Sequence, residues 1–88
     1  MTMAVANKQV VVFILPSIHH VLKAEKLLKT TTIPFDLVPV PKEINPDCGM
    51  AVETGIETAD EVKAFLINAD LPVEGAYRRN GRQFEPLD

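Results

Sequence analysis

Val10-Val11-Val12-Phe13-Ile14-Leu15, closed by Pro16 and Ser17, is the stretch on which the fold turns. It is β-branched and aromatic without alternation, the pattern of a strand covered on both faces or placed centrally in its sheet. Pro16 ends the strand because it supplies no backbone donor. Ser17 offers an N-cap hydroxyl to a helix running to about Lys29, with Lys26 and Lys29 near its C-terminal end, where the macrodipole favours cations. At 100° per residue Val21, Ala24, Leu27 and Leu28 form an apolar stripe. His19, Lys23, Lys26 and Thr30 point the other way, and His20 sits at the border.

Downstream, Thr30-Thr31-Thr32 and Ile33-Pro34 stop the helix, and Phe35 to Val40 reads as a second strand that Pro39 demotes to an edge. Met50 to Thr54 is a short third strand. Thr58 with Glu61 three residues later has the spacing of a capping box, opening a helix to about Ala69 with Val62, Phe65, Leu66 and Ala69 on one face. Val73 to Arg79 is a fourth strand. The order βαββαβ predicts an α+β, ferredoxin-like two-layer sandwich: a four-stranded antiparallel sheet with two helices on one face. The first and third strands are then central, and the second and fourth are edges. Residues 9–79 form the expected single domain, with 1–8 and 80–88 as flexible or extended tails. The unbroken apolar run also implies an apolar second sheet face, which suggests a homodimer.

Composition bounds the partners. The 88 residues are 47% hydrophobic and 24% charged with net charge −3, ordinary for a single soluble domain. The nine Lys and Arg form no continuous stripe, which argues against nucleic acid. Arg78, Arg79 and Arg82 come closest to a basic patch and read as a solvated edge. Six consecutive apolar residues are too few for a membrane span, and the first eight residues lack the pattern of a secretory signal. One cysteine cannot form an internal disulfide, so the expected compartment is the cytoplasm.

That cysteine lies in Pro39-Val40-Pro41-Lys42-Glu43-Ile44-Asn45-Pro46-Asp47-Cys48-Gly49-Met50, where three of the seven prolines fall within eight residues. The segment reads as a stiff loop delivering one thiol, with Gly49 leaving the sulfur unshielded and the backbone free to turn. The predicted topology puts this loop at the same end of the sheet as Ser17, His19, His20 and the exit of the second helix. A helix N-terminus carries unpaired N–H groups and roughly half a positive charge, which stabilises a nearby thiolate. Lys42 and the histidines add to that effect, and Glu43 and Asp47 oppose it. Adjacent helical residues diverge by about 100°, so His19 and His20 do not face one metal ion together. No Cys or His spacing indicates a metal, and no cofactor is expected.

The runs Pro16-Ser17-Ile18-His19-His20-Val21-Leu22-Lys23-Ala24-Glu25 and Val40-Pro41-Lys42-Glu43-Ile44, with Cys48-Gly49-Met50-Ala51 after them, resemble a small bacterial family of selenium/sulfur carrier-like proteins. The resemblance covers roughly residues 10–77. It implies a carrier in which Cys48 takes up sulfur or selenium as a persulfide or selenosulfide from a donor enzyme and hands it to an acceptor protein. Ser17, His19 and His20 would be its neighbours, and Lys42 and Glu43 part of the docking loop. A carrier also needs a thiol with no resolving cysteine beside it, and a single cysteine meets that condition. Two other readings compete. One is a dimeric ferredoxin-like ligand-binding or regulatory module in which Cys48 is incidental. The other is a thiol enzyme with His19 or His20 as base, which lacks an identifiable orienting carboxylate or amide. A carrier or binding protein therefore ranks above a free-standing enzyme.

Overall fold

The computed structural model describes residues 9–46, 49–81 and 83–87. The elements run β1 (Val10–Ile14), α1 (Ile18–Leu28), β2 (Asp36–Pro39), β3 (Met50–Gly55), α2 (Ala59–Asn68), β4 (Gly75–Asn80) and β5 (Gln83–Leu87), with one 3-10 turn at Ile56–Thr58. The sheet order is β2-β3-β1-β4-β5, and every pairing is antiparallel.

The apolar run is central, as its lack of alternation requires. Val12 lies between Glu53 of β3 and Tyr77 of β4 and is fully buried. Val11, Phe13 and Leu15 project into one core with Val21, Ala24 and Leu28 of α1 and Val62 and Leu66 of α2. Each buried Val, Leu or Phe among them contributes roughly 1.5–3 kcal/mol relative to exposure. Val12 and Ile14 project to the opposite face, where Val40 and Ala51 complete a second core flanked by Val38, Ile44, Tyr77 and Phe84. The apolar second face thus finds cover within the chain itself: Ile44 from the β2–β3 loop, and Tyr77 edge-on to Phe84 at 6.5 Å between ring centroids.

The expected four-stranded sheet needs correcting to five, and β4 is not an edge. Asn80 and Gln83 pair across a two-residue connection, with Gly81 at φ 66°, a left-handed value that glycine reaches without a Cβ clash. The chain reverses there, and β5 pairs along β4 from Asn80↔Gln83 to Ala76↔Leu87. Pro86 sits in β5, the edge strand, where a missing donor is tolerated.

Thr58 also departs from the expected capping box. It precedes α2, but its hydroxyl makes no cap hydrogen bond. The preceding 3-10 turn sets Thr58 at φ −110°, ψ 6°, and the hydroxyl donates back to Thr54 Oγ1, with the Gly55 carbonyl oxygen 3.2 Å away. Thr54 in turn donates to the Pro34 carbonyl at 2.7 Å, tying β3 to the chain entering β2. No helix among the described residues is long and apolar enough to cross a membrane.

Candidate functional site

One end of the sheet gathers the carboxyl end of β1, the start of α1, the β2–β3 loop and the exit of α2. Register establishes this: Pro39 pairs with Met50 and Phe13 with Val52, while Ile14 pairs with Gly75. The turn after α2 closes there through the Glu74 N–H, which donates to the Ile14 carbonyl at 2.8 Å.

Ser17 begins α1 in extended backbone, φ −152° and ψ 168°, and its Oγ accepts from the His20 N–H at 3.4 Å. The same oxygen lies 2.7 Å from His20 Nδ1. With the imidazole proton on Nε2, the hydroxyl donates to Nδ1 while accepting from the backbone, so one serine caps the helix and orients the ring. His20 is half-buried in this bond, whereas His19 is exposed. The divergence expected of neighbouring helical residues is observed.

The β2–β3 loop is held at three points. At its base the Val40 N–H donates to the Gly49 carbonyl at 3.0 Å. Within it the Ile44 and Asn45 N–H groups both donate to the Pro41 carbonyl, at 2.9 and 3.1 Å, forming a turn that leaves Lys42 and Glu43 exposed. Across to the helix start, Asn45 Nδ2 donates to the Leu15 carbonyl at 3.2 Å. Asn45 is only 4% exposed, and Ile44 packs behind it in the second core. Gly49 has φ 76°, so the chain leaves the loop in a conformation that disfavours any side chain. Asp47 and Cys48 lie outside the described residues. Beside Pro46 a cavity of about 180 Å³ opens between Ile44, Glu74 and Tyr77.

The structure therefore brings Ser17, His20 and the described part of the loop to one end. Lys42, Glu43 and His19 are exposed there. Asn45 is the residue that sequence reasoning missed. The Leu15 backbone carbonyl to which it donates is thirty positions away, so no spacing rule could pair them. The available signal was a lone amide between Ile44 and Pro46, in a loop that must account for its backbone polar groups.

A family model described as "Putative Se/S carrier protein-like" matches residues 10–78, from the first residue of β1 almost to the end of β4. The chain belongs to this Se/S carrier-like family. A curated relative from Aquifex aeolicus (strain VF5), named "Putative sulfur carrier protein", is 36% identical over 50 residues. That alignment takes in 56% of this chain and 25% of the relative, so the carrier-like chain matches about a quarter of that protein's length. No solved structure matches significantly.

Proposed function

We propose that this protein is a sulfur or selenium carrier whose working group is the Cys48 thiol. The observation that supports this most directly is the fastening of the loop on both sides of Cys48: Asn45 to Leu15 before it, and Gly49 to Val40 after it. Loop ends fastened at the end of the sheet where α1 starts suit a loop that must meet two protein partners in turn. Family membership supplies the chemical class.

In the loading step the Cys48 thiolate attacks the terminal sulfur of a persulfide on a donor enzyme. A new S–S bond forms at Cys48, the donor's S–S bond breaks, and the donor cysteine leaves as thiolate. The sulfane sulfur keeps its proton and no net oxidation occurs. Delivery repeats the exchange with an acceptor nucleophile. A thiol with this task belongs in the cytoplasm, where it is kept reduced between cycles.

The test is intact-protein mass spectrometry after incubation with a cysteine desulfurase and cysteine. A gain of about 32 Da that dithiothreitol reverses, and that Cys48→Ser abolishes, is the expected result. Absence of the gain in the wild-type chain with both the desulfurase and inorganic polysulfide as donor refutes the reading. The ligand-binding alternative draws on a groove of about 540 Å³ on the second sheet face, between Val38, Val40 and Phe84. Under that alternative a metabolite raises the melting temperature of wild type and Cys48→Ser equally.

A further inference from the structure

The outward face of α1 sets exposed aliphatics among basic residues, whereas the exposed Ile67 lies on the acidic α2. Ile18 and Leu22, one turn apart, are 39% and 50% exposed, and nothing among the described residues covers them. Lys23, Lys26 and Lys29 are exposed on the same helix, with Glu25 its one acidic residue, paired to Lys29 at 3.6 Å. The first turn holds no acidic residue, although the helix dipole would favour one there. The other helix carries the opposite sign: Glu57, Asp60, Glu61 and Asp70 flank or occupy α2 against Lys63 alone. The molecule is negative overall, yet it presents one positive helix with an apolar pair at its head.

We infer that the outer face of α1, centred on Ile18 and Leu22 and ringed by Lys23 and Lys26, is the docking surface for the sulfur-donor enzyme, which meets it with an acidic face around an apolar depression. The inference rests on the carrier reading. Charge segregation argues for a protein partner of that sign: an acidic face is repelled by α2 and drawn to α1, and such steering raises association rates by about 10- to 1,000-fold. Position argues for a partner that works at the loop, and the donor is the partner we assign to it. α1 begins at the end of the sheet that holds the β2–β3 loop, and with about 1.5 Å rise per residue Leu22 lies only about 6 Å along the axis from Ile18. A partner seated on both aliphatics therefore abuts the loop end. Three lysines without a longer basic stripe are too few for nucleic acid, and two aliphatics too few for a membrane-seated helix.

The experiment measures kcat/KM for desulfurase-driven loading of the full chain, read as the 32 Da gain, at low and at physiological salt. The variants are Lys23→Glu/Lys26→Glu, Leu22→Ser, and Asp60→Lys/Glu61→Lys on the opposite helix. The first is expected to lower kcat/KM about tenfold or more at low salt, mostly through KM, with the loss shrinking as salt rises. Leu22→Ser is expected to lower it about three- to tenfold at both salts. The α2 variant is expected to match or exceed wild type. Alkylation by neutral iodoacetamide checks that each variant keeps a competent thiol. Equal kcat/KM in wild type and the Lys23→Glu/Lys26→Glu variant overturns the docking surface while leaving the carrier reading intact. Wild type that accepts sulfur from inorganic polysulfide but not from the desulfurase does the same. Wild type loaded by neither donor overturns both.

Discussion

Replacing Asn45 by alanine tests whether the loop is held by the bond described. The substitution removes the Nδ2 donor that reaches the Leu15 carbonyl at 3.2 Å. Leu15 is fully buried and Asn45 nearly so, so water cannot replace the donor unless the loop lifts. Leaving a buried carbonyl unsatisfied costs about 1–3 kcal/mol, and for a domain of this size each kcal/mol lowers the melting temperature by roughly 4–8 °C. Two outcomes fit the structure, and they differ in where the loss appears. If the loop stays down, urea titration loses the full amount. If it lifts, global stability falls less, and the Val40 amide, which closes the loop base on Gly49, exchanges about 5- to 150-fold faster with deuterium. Asn45→Asp, which sets a carboxylate against the Leu15 carbonyl, is expected to be at least as damaging at neutral pH. An unchanged unfolding midpoint together with unchanged Val40 exchange in Asn45→Ala would refute the anchoring argument.

Two further predictions concern the second sheet face. Arg79 Nε donates to Glu53 Oε2 at 2.9 Å across β1, and the Glu53 side chain is only 13% exposed. Arg79→Met strands that carboxylate, and a loss of about 2 kcal/mol is expected in urea melts, mostly recovered in the Arg79→Met/Glu53→Gln double variant. Phe84 is half-buried against Tyr77, so Phe84→Ala is expected to cost about 1–2 kcal/mol, below the loss at a fully buried site. Stability unaffected by Phe84→Ala in thermal melts would mean that β5 adds nothing to the fold.

Much of this architecture was legible because single residues carried strong constraints. The unbroken run from Val10 to Leu15 required cover on two faces, and Pro39 required an edge; both hold in the sheet order. The apolar stripe of α1 followed from its period, and Val21, Ala24 and Leu28 are all buried. The fifth strand escaped because Gln83 to Leu87 is polar and contains Pro86, while the stronger signal, the Asn80-Gly81 pair that favours a tight hairpin, was passed over. Thr58 does occupy the N-cap position of α2, but the 3-10 turn gives it dihedrals that send its hydroxyl back toward β3 instead of the helix, a backbone detail that spacing cannot encode. For the site, topology placed the loop beside Ser17, but the bonds that fasten it join residues far apart in sequence.

The position of β1 also sets the order in which the chain can be satisfied as it is made. Its partners are distant: Val10 pairs with Gly55 and then with Arg79, and the helices that cover Phe13 come between. At synthesis rates of about 5–20 residues per second, the most apolar strand waits several seconds before both flanks exist. During that time five consecutive β-formers with no charge among them form a segment of the kind that pairs with its own copies. Expression yield is therefore expected to respond more sharply to translation speed and to holdase chaperones than a chain of this length would suggest, and a slower β4 codon run should lower it.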